Sequence, residues 1–137
     1  MASLFNFEVH TPYRLFFSGK AEAVLLTLAD GEIGIYANHS PVTAPVVTCI
    51  LRIRDAEGNW KIAFVSGGIL EVKDVKNVLL VESAEWPEEI DRELALASKK
   101  EAEEILSTSQ FRFEKDDARA KLQRAECRLK VLSASLK

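Results

Sequence analysis

Hydrophobic and polar residues alternate along the first part of the chain, then change to a helical rhythm. Phe5, Phe7 and Val9 alternate with Asn6, Glu8 and His10, which predicts a strand with one apolar face. Thr11-Pro12 ends it, leaving His10 on the polar face as a surface histidine. Leu15-Phe16-Phe17 is a second short apolar run, closed by Ser18-Gly19-Lys20. Ala21 to Leu28 is a third, long enough for a buried strand. Asp30-Gly31 is a turn signal, because Gly tolerates the positive φ of tight hairpins. Ile33 and Ile35 then alternate with polar or small neighbours, giving a short half-buried strand. Asn38 suits a left-handed position, and Ser40-Pro41 forces extended backbone. Val42 to Arg54 is mostly β-branched and ends in clear alternation. Asp55 to Asn59 is a hairpin turn, and Trp60 to Val65 returns as its partner. Ser66-Gly67-Gly68 breaks the pattern, Ile69 to Val72 resumes it, and Lys73 to Asn77 turns into Val78 to Val81. Gly67-Gly68 within a strand pattern predicts a bulge or a close backbone approach. Many short strands with turns roughly every 8–12 residues make a sandwich or barrel.

After Glu85 the rhythm changes. Pro87 suits a first helical position, and Glu88, Glu89 and Asp91 suit the positive end of a helix dipole. No Gly or Pro interrupts residues 88–107. Ala95, Ser98, Ala102 and Ile105 recur at helical spacing, flanked by Ile90 and Leu94, and small residues there let another helix approach closely. A turn candidate at residues 106–110 is followed by a second helix. Its stripe of Ala118, Leu122, Ala125, Leu129, Leu132 and Leu136 steps by four and three. Two such helices joined by a short loop make an antiparallel hairpin. The chain thus reads as α+β. Residues 1–86 form an antiparallel β-sandwich or flattened barrel, and residues 87–137 an antiparallel two-helix hairpin.

Composition narrows the function. The chain has 137 residues and a net charge of −3, without the basic excess of a duplex nucleic-acid binder. No apolar run approaches the ~18 residues of a transmembrane helix. The N-terminal residues carry no basic signal region and no transit-peptide character, so the product is expected to stay where it is made. Cys49 and Cys127 lack metal-ligand spacing and read as reduced packing residues. His10 and His39 have no metal-type spacing either. No nucleophile elbow or Walker-type loop is present. The chain therefore reads as a non-enzyme that binds other proteins. Charge splits between the helices. From Glu85 to Ser107 there are eight acids and three bases, and from Arg119 onward six bases and Glu126 alone. Lys121, Arg124 and Arg128 share one face beside the apolar stripe. That face suits either the partner helix of the hairpin or an acidic surface elsewhere. The loop carrying His39 reads either as a structural hairpin with a solvated histidine or as a binding edge held between two strands.

Three blocks carry a resemblance. Asp30-Gly31-Glu32-Ile33-Gly34-Ile35, then His39-x-Pro41, then Ser66-Gly67-Gly68-Ile69-Leu70-Glu71-Val72 resemble the epsilon subunit of the bacterial and chloroplast F-type ATP synthase. The order and separation of the blocks fit over essentially the whole chain. Departures are Asn38 and Ser40, where that family more often has Gly and Ala, and Thr43 in a usually apolar run. The resemblance implies a non-catalytic central-stalk rotor subunit. Its sandwich would clamp the coupling chain between the membrane ring and the gamma subunit, passing ion-driven rotation to the catalytic head. Its hairpin would inhibit ATP hydrolysis. The loop with Glu32, His39 and Ser40 would face gamma and the c-ring; Lys121, Arg124 and Arg128 would face the acidic region of the alpha/beta head. The implied location is peripheral, at the cytoplasmic face of a bacterial plasma membrane or the stromal face of a thylakoid. Some members resemble one another in an Ile/Leu-Asp-x-x-Arg-Ala motif that binds ATP with two arginines of the second helix. Here Ile90, Asp91 and Ala95 match, Arg124 and Arg128 match, and Leu94 stands in place of the motif arginine; only micromolar ATP binding would point to Arg92 as a substitute. No cofactor is expected, and ATP binding is expected to be weak or absent. The alternatives are a free-standing β-sandwich binding module with a helical oligomerisation tail, and a nucleotide-sensing module. A further expectation concerns the loop Ser107-Thr108-Ser109. With no Gly or Pro to lock it, the hairpin is expected to be able to straighten.

Overall fold

The computed structural model describes residues 3–135. Met1 and Ala2, and the expected Leu136 and Lys137 of the second helix, lie outside the described residues. Contacts divide the chain into two compact units, Met1–Glu85 and Trp86–Lys137.

The first unit holds nine strands: β1 (Phe5–His10), β2 (Leu15–Leu28), β3 (Gly31–Tyr36), β4 (Val42–Val46), β5 (Cys49–Asp55), β6 (Trp60–Val65), β7 (Gly68–Val72), β8 (Asn77–Val81) and β9 (Ala84–Glu85). Their order is β1-β8-β7-β4-β2-β5-β6-β9, with β3 on β2. Because β1 also pairs with β2, the strands β1, β8, β7, β4 and β2 close into a ring. The ring closes at the single bridge Leu28–Val46. The far half of β2 carries β3 on one side and β5 on the other. Alternate residues turn inward, so Phe7, Val24, Ile35, Ile53, Leu70 and Leu79 are fully buried. Burial of each such side chain stabilises the fold by about 1.5–3 kcal/mol.

Three strand expectations are corrected. The runs Leu15–Phe17 and Ala21–Leu28 are one strand, because Ser18, Gly19 and Lys20 pair in extended form with Glu8, Phe7 and Asn6. A register shift between Ala21 and Ala23 falls where β2 passes from its pairing with β1 to its pairing with β5. Conversely, the β-branched run from Val42 is two strands. Val46 ends β4 on β7, and Cys49 begins β5 on β6. Between them the Val47 N–H donates to the Thr27 carbonyl at 3.1 Å. The pairing is also not purely antiparallel, since β1 and β8 run parallel. The β2–β3 hairpin turns at Ala29-Asp30, one residue earlier than expected, and Gly31 follows at φ 140°.

The second unit begins with one 3-10 turn, Pro87–Glu89, followed by α1 (Arg92–Thr108) and α2 (Arg112–Ser135). The α-helix therefore starts later than Glu88. Asp91 is its N-cap, its carboxylate accepting the Leu94 N–H at 3.2 Å. Ala95 and Ala102 of α1 are buried, and so are Ala118 and Ala125 of α2. Counted outward from Gln110, Ala102 and Ala118 stand at equal separations, as do Ala95 and Ala125. Four methyl groups in this register let two antiparallel helices approach closely. The expected stripes are otherwise shifted. Ser98 is exposed while Lys99 and Leu106 are half-buried, and Leu122, Leu129 and Leu132 are only half-buried while Cys127 and Val131 are buried. A mostly exposed helix with a two-alanine seam buries little area, so each added large side chain changes its packing.

Hydroxyls hold the interhelical turn. Ser107 Oγ and Thr108 Oγ1 donate to the Glu104 carbonyl at 2.9 and 2.8 Å. Ser109 Oγ accepts the Phe111 N–H at 3.1 Å and donates to Glu114 Oε2 at 2.7 Å. The first pair is compatible with continued helix, whereas the Ser109 pair belongs to the turn.

Candidate functional site

Within the first unit, the loop after β3 is built as a tight turn. The His39 N–H donates to the Tyr36 carbonyl at 3.2 Å, and Asn38 sits at φ 66°. That positive φ is what the short polar side chain of Asn tolerates. His39 is half-buried, with its Nδ1 2.6 Å from the Ser40 carbonyl, a bond that uses the Nδ1–H tautomer. Ser40 and Pro41 are exposed. Glu32 lies at the other end of β3, opposite Thr27, and is also exposed. Glu32 borders a shallow concavity of ≈410 Å³ with Arg52 and Tyr36, floored by Leu25 and Gly34. Gly34 keeps that floor open: a Cβ there would lie 3.1 Å from both Leu25 Cδ2 and Tyr36 Cε2.

A larger feature of the same unit was not expected from the sequence. Register places Pro45 beside Ile69, Ile69 beside Leu80, Leu80 beside His10, and His10 beside Leu15. Ile69, Leu80 and Leu15 are 49%, 50% and 54% exposed. A row of Pro45, Ile69, Leu80 and Leu15, with His10 of β1 between the last two, thus lies on the outer face. Beside it runs a groove of ≈530 Å³ lined by Pro12, Gly67, Gly68, Ile69 and Leu80. Contiguous exposed apolar surface of this kind marks an interaction site. The signal was present as apolar residues on both faces of β7 and β8, Ile69 next to Leu70 and Leu80 next to Leu79. Strict alternation would have made Ile69 and Leu80 polar.

In the second unit, Ile90 and Ala95 are buried, and Asp91 is engaged as the helix cap. Arg92 is exposed and Leu94 is 66% exposed. The antiparallel course brings residues 90–95 to the same end of the hairpin as Arg124 and Arg128, which are half-buried. Lys121 lies nearer the middle, its Nζ 3.9 Å from Asp117 Oδ2. At the opposite end Phe111 and Phe113 stand exposed beside the turn.

Neither cysteine forms a disulfide, and both are buried. Burial pushes the Cys49 thiol up, while the Thr27 N–H, 3.4 Å from its Sγ, pulls the other way. A thiol held protonated in this way is a packing group and a poor nucleophile. Among the described residues no His, Cys, Asp and Glu cluster of three could hold a metal ion. Among them, too, no helix is long and apolar enough to cross a membrane.

Comparison with known proteins gives one match for each unit. Residues 4–87 match the beta-sandwich domain of the ATP synthase delta/epsilon chain, and residues 88–133 its long alpha-helix domain. The ATP synthase epsilon chain of Caldicellulosiruptor bescii is 45% identical over 127 residues, covering 93% of this chain and 92% of that one. That of Caldanaerobacter subterraneus subsp. tengcongensis is 43% identical, covering 97% and 96%. Among solved structures, a chain of the Euglena gracilis mitochondrial ATP synthase has the same fold, with a TM-score of 0.81 at 21% identity over 98% of this chain and 82% of that one. A Tetrahymena thermophila mitochondrial ATP synthase chain gives 0.62 at 13% identity, covering 93% and 96%. With both units matched in order, and with relatives this similar over nearly the full length, the chain belongs to the ATP synthase delta/epsilon chain family, as an epsilon chain.

Proposed function

We propose that this chain works in the central stalk of an F-type ATP synthase, as a subunit that is not catalytic by itself. The observation that carries the proposal is the ordered match of both units to the two domains of that family. The sandwich couples the c-ring to the gamma subunit. Two surfaces divide that work. The outer apolar row of Ile69, Leu80 and Leu15 seats gamma, and the loop edge with Glu32, His39 and Ser40 meets gamma and the polar surface of the ring. Ion-driven rotation of the ring then reaches the alpha/beta head, where ATP is made. The complex holds the chain peripherally, on the cytoplasmic face of a bacterial plasma membrane or the stromal face of a thylakoid.

The hairpin acts as a brake on ATP hydrolysis by extending toward the head, with Lys121, Arg124 and Arg128 against an acidic surface. Its alanine seam supports this reading, because it buries little area and is cheap to open. The turn supports it as well. At the turn itself, straightening forfeits the two hydrogen bonds of Ser109, at about 0.5–1.5 kcal/mol each, in addition to the burial of the helix seam. The two forms then lie within the few kcal/mol that a switch requires. ATP is held weakly or not at all, since Leu94 supplies no charge where the motif has arginine.

Truncation after Pro87 tests the assignment. The truncated chain should still assemble with gamma, and the assembled complex should hydrolyse ATP faster than with the full chain. Equal rates under all nucleotide and ion-gradient conditions would leave the hairpin a structural appendage. Failure of the full chain to bind gamma would remove the stalk assignment altogether and favour a free-standing binding module.

A further inference from the structure

We propose that Tyr13 anchors the joint with gamma: its ring enters gamma beyond the end of the outer apolar row and keys the joint against slip. The inference rests on the reading above that this row is where gamma docks. Tyr13 is 90% exposed, in the turn that joins β1 to β2. It stands two residues before Leu15, the last apolar member of the row. It directly follows Pro12, which lines the groove together with Thr11, Gly67 and Gly68. A partner laid on the row and over the groove reaches the turn that carries Tyr13.

The turn is set before any partner arrives. Pro12 has no backbone N–H and a fixed φ. The other three N–H groups of the turn are all bonded. The Thr11 N–H donates to the Arg14 carbonyl at 3.0 Å, and those of Tyr13 and Arg14 donate to Thr11 Oγ1, both at 3.2 Å. Thr11 Oγ1 in turn donates to the Arg14 carbonyl at 3.3 Å. Arg14 fastens the turn to the sandwich, its Nη2 donating to the Ala84 carbonyl at 3.2 Å and its guanidinium carbon lying 5.1 Å from the centre of the Phe16 ring. An aromatic ring on a prepared turn loses little freedom on docking, since tyrosine has only two side-chain torsions to fix. Tyrosine is also among the side chains that most often dominate an interface.

The row by itself does not supply a lock. Apolar attraction is non-directional, and Pro45, Ile69, Leu80 and Leu15 stand in one line across the strands. A partner resting on them alone is free to slide along that line, and sideways load is what a rotating stalk applies. A ring inserted beyond the end of the line blocks the slide. The groove beside Ile69 and Leu80 receives an apolar side chain of gamma in return. One knob from each partner then fixes the register, and losing Tyr13 acts on dissociation rather than on encounter.

The test measures association and dissociation of the full chain on the epsilon-free alpha/beta/gamma complex. Tyr13→Ala should dissociate at least about thirtyfold faster, the size that marks an interface hot spot, with association within about threefold of the parent. Its free fold should be unmoved, because the bonds of the turn involve no Tyr13 side-chain atom. Tyr13→Phe keeps the ring and should stay close to the parent. Leu80→Thr reports on the row independently and should also weaken binding. A second readout is nitration by tetranitromethane in a Tyr36→Phe background, which leaves Tyr13 as the one tyrosine of the chain: Tyr13 should be nitrated in the free chain and protected in the complex. If Leu80→Thr weakens binding while Tyr13→Ala dissociates within about threefold of the parent, or while Tyr13 is nitrated equally in the complex, the proposal is overturned and the docking surface stands. If the parent does not bind, or neither substitution changes binding, the docking reading falls and this inference with it.

Discussion

Gly68→Ala is the most severe small change the sandwich can suffer. Gly68 pairs with Val81 across β7 and β8. A Cβ at this position would fall on the Leu80 carbonyl oxygen, 2.7 Å from Val81 Cα and 2.8 Å from the Leu80 carbonyl carbon. All three atoms are backbone, so no side chain can rotate away. The strand itself must withdraw, and β8 carries Leu79 and Val81 into the core. Overpacking alone costs about 1–3 kcal/mol. Loss of the hydrogen bonds at the Gly68 rung adds about 1 kcal/mol each. With two such bonds the sum is about 3–5 kcal/mol, a large share of the 5–15 kcal/mol that holds a domain of ordinary stability. Urea unfolding followed by Trp60 fluorescence reads it, in a Trp86→Phe background so that only the sandwich reports. With a slope of about 2 kcal/mol per molar, the midpoint should fall by about 1.5–2.5 M. Gly19→Ala is the control, since its Cβ would meet only the Phe17 ring, no nearer than 3.5 Å. It should cost less than about 0.5 kcal/mol. If Gly68→Ala unfolded within 0.3 M (roughly 0.6 kcal/mol at that slope) of the parent, the close approach of β7 to β8 would be wrong.

Replacing Glu32 or His39 with Ala should leave the free chain's stability within about 0.5 kcal/mol, as expected of positions outside the core; a large fall in melting temperature would show instead that they hold the fold. Ala102→Leu should destabilise the hairpin by about 1–3 kcal/mol by forcing the seam apart, visible as earlier loss of helical circular dichroism with the sandwich transition unmoved. Calorimetry of ATP into the isolated chain should show no micromolar binding, and Leu94→Arg should strengthen any residual signal by the ~1.5–3 kcal/mol of a charge-assisted contact. Micromolar affinity in the parent would assign that role to Arg92.

The elements legible in the sequence were those with local causes. Gly58 sits at φ 84° in the Asp55–Asn59 turn, and the Asp55 carboxylate accepts the Glu57 and Asn59 N–H groups. Asn38 took the left-handed position that its side chain favours. Gly67-Gly68 marked a close approach, and Pro87 opened the helical unit. The errors lie where a tertiary cause overrode a local one. Ser18-Gly19-Lys20 reads as a stop, yet three pairings with β1 hold it extended. Val46 to Cys49 reads as uninterrupted strand, yet the chain there leaves its pairing with β7 and begins a new one with β6. The apolar row was legible only in fragments for a different reason: its apolar members come from four strands, and only the register brings Pro45, Ile69, Leu80 and Leu15 into line. The charged positions of α2 were legible as a face, but nothing in the sequence says which surface that face meets.

The alanine seam carries a constraint on any straightened tail. Ala102 and Ala118 are sixteen residues apart, and at 100° per residue a continuous helix would turn them about 160° away from each other. In the hairpin the reversal of direction cancels that angle, and the two alanine tracks meet. Drawn out into a single rod, the same tracks would lie on opposite sides, one along residues 95–102 and the other along residues 118–125. No single flat surface could receive both. A rod would need walls on two sides, as in a narrow cleft between subunits, and a shallow surface would take the tail only if a bend survived near Ser109. The handedness of the α-helix and the length of one turn therefore decide what shape of cavity this tail can occupy.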